Sequence, residues 1–238
     1  MRVRDVADGD PLLARVYDDL LVPSFPADEM ETLEWLRTRL AEGTAVVTAA
    51  VEADGTPVAA AVGEWDPGSR VLLLSYLTVR PGLRSKGLGS LLLEEVAGAW
   101  QERFRPLLTL AEVEHPLAHK ADRAYGDPAA RLRFYARHGA RALDLPYFQP
   151  ALRPGAGRVH GMLLLVLARA AGGGGREEGT VAPGPVRAFV EDYLLSEGEA
   201  EPDGAVRRLR EGLARPGGIR LLPLDPPEAL PLSTPDGI

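Results

Sequence analysis

The residues best placed to do chemistry lie in one run, Val79-Arg80-Pro81-Gly82-Leu83-Arg84-Ser85-Lys86-Gly87-Leu88-Gly89. An almost unbroken apolar segment, Val71–Val79, leads into this glycine-bearing turn, and the turn leads into the helical periodicity of Gly87–Glu102. Such a junction aims several backbone N–H groups, with the positive end of the helix dipole, at one spot. Gly87 and Gly89 let a ligand approach the backbone with no Cβ in the way. The expected ligand is an anion, most naturally a pyrophosphate. A second cluster lies on the segment Leu107–Glu114, read as a strand, where alternation puts Leu108, Leu110, Glu112 and Glu114 on one face. Two carboxylates at a strand end could deprotonate or bind a cationic amine, and their proximity would raise one pKa; the plainer alternative is a solvated strand end. Glu64, beside Trp65, is a further candidate base.

The glycine turn fits three phosphate-binding patterns unequally. Gly82 and Gly87 have P-loop spacing, but Leu88 and Gly89 stand where Lys and Ser/Thr are required. Gly87-x-Gly89 is followed by Leu92 where a dinucleotide fingerprint needs glycine. Arg/Gln-x-x-Gly-x-Gly/Ala is matched throughout by Arg84, Gly87 and Gly89. This third pattern resembles the GNAT superfamily of acyl-CoA-dependent N-acetyltransferases. Phe134-Tyr135-Ala136-Arg137-His138-Gly139-Ala140 is similar to that family's Phe-Tyr segment, with Ala140 in place of the usual aromatic, and the similarity covers about residues 1–171.

The resemblance implies an acetyl-CoA cosubstrate. Its pantetheine arm would lie along a splayed strand at Leu77, Thr78 and Val79. Its pyrophosphate would rest on the N–H groups of Arg84, Ser85, Lys86, Gly87, Leu88 and Gly89, with the Ser90 hydroxyl adding to them. A backbone N–H near Leu77 would polarise the thioester carbonyl. Tyr135 matches the tyrosine that helps the thiolate depart; read from spacing alone, it is a core aromatic sharing a helix face with Leu132 and Ala136. The attacking amine must be neutral, although a lysine-like amine has a pKa of about 10.4 in water, so a base such as Glu112 or Glu114 is useful. The expectation is an acetyl-CoA-dependent N-acetyltransferase acting by direct attack in a ternary complex. Its acceptor is a primary amine, on a small molecule or a protein. The alternative is a non-catalytic acyl-CoA-binding sensor or assembly protein on the same fold.

The elements that must position these residues can be read from periodicity. Met1–Val6 reads as a strand, and Pro11–Leu21 and Ala27–Glu42 as helices, the second with Met30, Leu33, Leu36 and Leu40 on one face and Asp28 as its cap. Thr44–Glu52 and Thr56–Glu64 form a hairpin around Asp54-Gly55. The helix Gly87–Glu102 would bury Leu88, Leu91, Leu92, Val96 and Ala99, and Ala129–His138 is a short helix ending at Gly139. Strands near Ala142–Tyr147 and Gly161–Arg169 flank a Pro/Gly-rich loop. The expected fold class is α/β, a GNAT-like, mostly antiparallel mixed sheet of about six or seven strands with helices on both faces. Residues 1–171 would form that domain, 172–182 a Gly-rich linker, and 183–238 a mainly helical extension. The extension would pack on the main domain or on a second subunit, giving a homodimer.

Composition narrows the function classes. The 238 residues carry a net charge of −7, a poor match for phosphate backbones or anionic lipid, so neither nucleic acid nor membrane is an expected partner. No cysteine is present, which removes thiolate catalysis and Cys-ligated zinc. His115 and His119 stand four apart, but Pro116 argues for a surface loop, and no metal is expected. The longest apolar run, Met162–Ala168, is too short to span a bilayer, and the start lacks a signal pattern, so the expected location is the cytoplasm.

Overall fold

The computed structural model describes residues 1–152, 157–196 and 203–234. Part of the Pro/Gly-rich loop, some of the extension and the last four residues lie outside them. The chain divides into two compact units: Met1–Pro67 with Leu72–Arg105, and Gly68–Val71 with Pro106–Ile238.

The first unit carries strands β1 (Arg2–Asp5), β2 (Ala45–Val51), β3 (Pro57–Asp66) and β4 (Val71–Val79), side by side in that order. β1 pairs antiparallel with β2, and β2 with β3. The hairpin between β2 and β3 turns on Gly55, whose φ of 82° suits glycine. Helices α1 (Pro11–Val16) and α2 (Leu33–Ala41) cover one face, where Leu13, Val16 and Leu36 join Val47, Ala49, Ala60 and Val62 in one apolar cluster. The opposite face receives α3 (Leu88–Phe104), whose Trp100 Nε1 donates to Thr48 Oγ1 at 3.3 Å. Alternation along β2 thus sends odd-numbered residues to one helix layer and Thr48 to the other.

Two helices depart from expectation. The segment expected to be helical from Ala27 is a single 3-10 turn at Ala27–Glu29, then extended chain at Met30, then α2. Tyr76 causes the break: its hydroxyl accepts from Glu31 N at 3.0 Å and donates to the Glu29 carbonyl at 3.3 Å, holding the backbone straight. Thr32 rather than Asp28 caps the helix, its Oγ1 accepting from Trp35 N. On α3, Leu91 and Ala99 are exposed, while Leu92, Leu93, Val96 and Trp100 are buried, so the stripe is rotated from the expected one.

The second unit carries β5 (Leu108–Glu114), β6 (Arg141–Leu143), β7 (Met162–Arg169), β8 (Thr180–Val181) and β9 (Ile219–Leu222), in the spatial order β5-β7-β6-β9-β8 with antiparallel pairings. Its helices are α4 (Pro128–Arg137), α5 (Pro183–Ser196) and α6 (Gly204–Leu213). The extension carries helices, as expected, and also supplies β9, while β8 falls within the segment expected to be a linker. Apolar side chains are buried at Val186, Phe189, Val190 and Leu194 on α5, with Tyr193 partly exposed, and at Val206, Leu209 and Leu213 on α6. α6 packs at Gly212, where an added Cβ would meet the Leu145 side chain at 2.7 Å. Residues 172–182 are hydrogen-bonded chain: Gly175 N donates to the Thr180 carbonyl and Ala182 N to the Gly173 carbonyl. β6 is shorter than the expected strand, because Leu145 N and Tyr147 N donate to carbonyls two residues back and turn the chain out of the ladder. Among the described residues no helix is long and apolar enough to cross a membrane.

Candidate active site

The residues expected to hold an acyl-CoA lie in the first unit. β4 ends at Val79, Pro81–Leu83 forms a 3-10 turn, and α3 begins at Leu88 with Gly87 as its cap. The turn is anchored from behind: Arg80 donates to the Pro57 carbonyl at 2.7 Å, and Arg84 Nε donates to the Val79 carbonyl at 3.2 Å. Lys86 is exposed. Ser85 and Gly87 both take left-handed backbone, with φ of 63° and 83°. Left-handed residues in such a turn cup successive N–H groups toward one point.

From Ser85 through Ser90, no backbone N–H donates to another described residue. The last three of these open α3, where a helix leaves its first N–H groups without internal partners. No atom lies within 4 Å of an ideal Cβ at Gly82 or Gly87, so the space over the turn is open. These residues fit a pyrophosphate-bearing cosubstrate. Thr78 Oγ1 lies 2.7 Å from Ser24 Oγ in a buried pair, so its side chain is already engaged.

The expected acid–base residues lie in the second unit. Tyr135 is on α4, which starts at Pro128 and is capped by Asp127 Oδ1 accepting from Ala129 N at 2.9 Å. Leu132 and Tyr135 are buried, while Ala136, expected on the same face, is exposed. Tyr135 is 5% exposed, and its ring meets Phe134 edge-on at 5.2 Å. Its hydroxyl has no hydrogen-bond partner among the described residues. Burial pushes its pKa up to about 12, against a smaller opposing effect of the Arg131 charge.

Glu112 and Glu114 share a face of β5, opposite Leu164 and Met162 of β7, and each is engaged by its own partners. Glu112 accepts from the Tyr147 hydroxyl at Oε1 and from Gln149 Nε2 at Oε2, the latter at 3.1 Å. Glu114 is ion-paired: Arg131 NH1 stands 2.8 Å from its Oε2, and His119 Nδ1 stands 3.5 Å from its Oε1. The two carboxylates are therefore held by separate sets of donors. Arg131 also donates to the Tyr125 carbonyl at 3.0 Å, tying the loop before α4 to the end of β5. Glu64 accepts from the Ser75 hydroxyl in the first unit.

Sequence reasoning missed Tyr147, Gln149, Arg131 and His119. Their signal was faint: Tyr147 and Gln149 sit in irregular chain after β6, where periodicity carries no information. His115 was expected on a surface loop and is instead 1% exposed, with Leu117 N donating to its Nδ1 at 3.1 Å. Pro116 does not prevent a helical turn there, since His119 N donates to the His115 carbonyl at 3.0 Å.

Comparison with known proteins fixes the class. The model of the GNAT acetyltransferase family matches residues 13–139, more than half of the sequence. The chain belongs to this family, whose members transfer acyl groups from acyl-CoA. A GNAT-family protein from Bacteroides thetaiotaomicron shares its fold with a TM-score of 0.60 at 22% identity, covering 83% of this chain and 99% of the other. The GNAT-like decarboxylase GphF, solved with isobutyryl-CoA, superposes with a TM-score of 0.51 at 18% identity, covering 70% of this chain and 98% of its own. No curated protein matches the sequence.

Proposed function

We propose that this protein is an N-acetyltransferase that moves acetyl from acetyl-CoA to a primary amine, on a small molecule or a protein, by direct attack in a ternary complex. The main chain of Leu77, Thr78 and Val79 would hold the pantetheine arm, and the N–H groups from Ser85 to Ser90 the pyrophosphate, the expected Arg84 N–H being taken by the Pro81 carbonyl at 3.3 Å. When bound, the thioester supplies an activated acetyl group.

The observation that carries the catalytic reading is the Tyr135 hydroxyl: a buried phenol, protonated at physiological pH, with no acceptor among the described residues. A hydroxyl with no protein acceptor is available to donate to a leaving sulfur. A phenol with a pKa near 12 is too weak an acid to give up its proton outright to a thiolate. It acts as a hydrogen-bond donor to the departing sulfur, and the net proton comes from the amine nitrogen, which becomes far more acidic as it is acylated. Glu112 is the base for the incoming ammonium. Glu114, occupied by Arg131, keeps the α4 end of the site in place.

Calorimetric titration of acetyl-CoA into the full-length protein, with ATP and NAD as controls, tests the cosubstrate. Selective, saturable binding is expected. Free-CoA release across a panel of primary amines then tests the transfer, with Tyr135→Phe and Glu112→Gln each lowering kcat by roughly a hundredfold. Turnover unchanged in both variants would refute the assignment.

A further inference from the structure

Glu112 is held by residues that neither the glycine turn nor the Phe-Tyr segment contains, and they lead to the C-terminal extension. Tyr147 is 1% exposed, and its hydroxyl donates to Glu112 Oε1. Gln149, 6% exposed, donates Nε2 to Oε2 at 3.1 Å. Tyr147 and Gln149 thus give the two carboxylate oxygens a neutral donor each, which fixes the plane of the carboxylate.

The backbone that presents these two donors is clamped. Gln149 pairs with Val159 through two 3.0 Å bonds, N to O in both directions. Ser233, near the end of the described chain, donates its hydroxyl to the Tyr147 carbonyl. The same hydroxyl accepts from Gly161 N at 2.9 Å, and the Ser233 carbonyl accepts from it at 3.1 Å. Gly161 in turn accepts at its carbonyl from His115 N at 2.8 Å, directly after β5. No side chain fits at Gly161: its φ is 68°, and an added Cβ would stand 2.3 Å from Ala118 Cβ. A closed ring of contacts therefore runs from β5 through Gly161, Ser233 and Tyr147 back to Glu112 on β5.

We infer that Tyr147 is a positioning residue for Glu112, and that Ser233 anchors it, so that the C-terminal extension completes the base of the acetyl transfer. This rests on the reading of Glu112 as that base. The extension is then a working part of the site rather than an appendage to it.

The test uses the full-length protein with 13C-labelled glutamate carboxyls. The Glu112 resonance is the one lost in Glu112→Gln. It is expected to move in Tyr147→Phe, and to move less in Ser233→Ala, while thermal unfolding shows both variants folded. In CoA-release assays with the same amine panel, Tyr147→Phe is expected to lower kcat about tenfold, the size of one hydrogen bond to a charged group, with KM for acetyl-CoA unchanged. Ser233→Ala should lower kcat about threefold. An unmoved resonance in Tyr147→Phe overturns the positioning whether or not any amine turns over. Wild-type kcat in Tyr147→Phe, with Glu112→Gln impaired, overturns it also. Wild-type kcat in Glu112→Gln removes the underlying reading of Glu112 instead.

Discussion

Trp100 of α3 stands so close to Gly63 of β3 that a Cβ built on the glycine would lie 2.8 Å from Cζ3 of the indole. The indole is 2% exposed and its N–H is tied to Thr48, so it has little room to yield. Gly63→Ala should destabilise the protein by about 1–3 kcal/mol through overpacking. Chemical denaturation of the variant against the parent measures this, and a loss below about 0.5 kcal/mol would show that α3 gives way.

The glycine turn allows a paired comparison. Gly87 has a φ of 83° and open space around it, so Gly87→Ala meets no clash and suffers only backbone strain. That strain costs about 1–2 kcal/mol. It reshapes the run of N–H donors, so acetyl-CoA should bind about tenfold more weakly by calorimetry. Gly82 also has open space and lies outside the left-handed region, so Gly82→Ala should bind like the parent.

Tyr135 makes a statement about alkaline pH. Its pKa is raised from 10.0 to about 12 by burial, so the folded protein keeps a proton that the unfolded chain releases above pH 10. Stability is therefore full below pH 10 and falls as pH rises from 10 to 12. In Tyr135→Phe that part of the decline should vanish from the melting temperature. The parent's kcat should also show no loss attributable to Tyr135 below pH 10.

His115 makes the opposite statement at acid pH. Burial, the largest influence, lowers its pKa from 6.5, and the Leu117 N–H donating to Nδ1 requires that nitrogen to be unprotonated. Its contribution is present above pH 6.5 and is lost as pH falls below that value, where the unfolded chain takes up the proton first. Melting temperatures at pH 5 and pH 7.5 should therefore converge in His115→Gln relative to the parent. An equal drop in both proteins would place the acid sensitivity elsewhere.

Much of this molecule can be read from its residues because the signals are local. β4 begins and ends where its apolar run does, the β2–β3 hairpin turns on Asp54-Gly55, and α4 runs from Pro128 toward Gly139. The turn from Arg84 to Gly89 shows its chemistry because glycine positions and a strand–helix switch are written in one stretch. What stayed hidden depends on distant partners. Nothing near Met30 announces that Tyr76, forty-five residues beyond Glu31, will break a helix there. Nothing near Glu112 and Glu114 reveals that one will be held by Tyr147 and the other by Arg131. The short strands β9 and β8 depend on distant edges too, β9 pairing with β6 and β8 with β9.

The pairing of Ala142 and Leu143 with Leu222 and Leu221 also has a consequence for synthesis. Until β9 has left the ribosome, β6 keeps an unpaired edge, and Tyr147 lacks its anchor until Ser233 follows. A sheet with an open edge is a template for wrong partners. The nascent chain thus passes through a period in which the β6 edge still waits for β9.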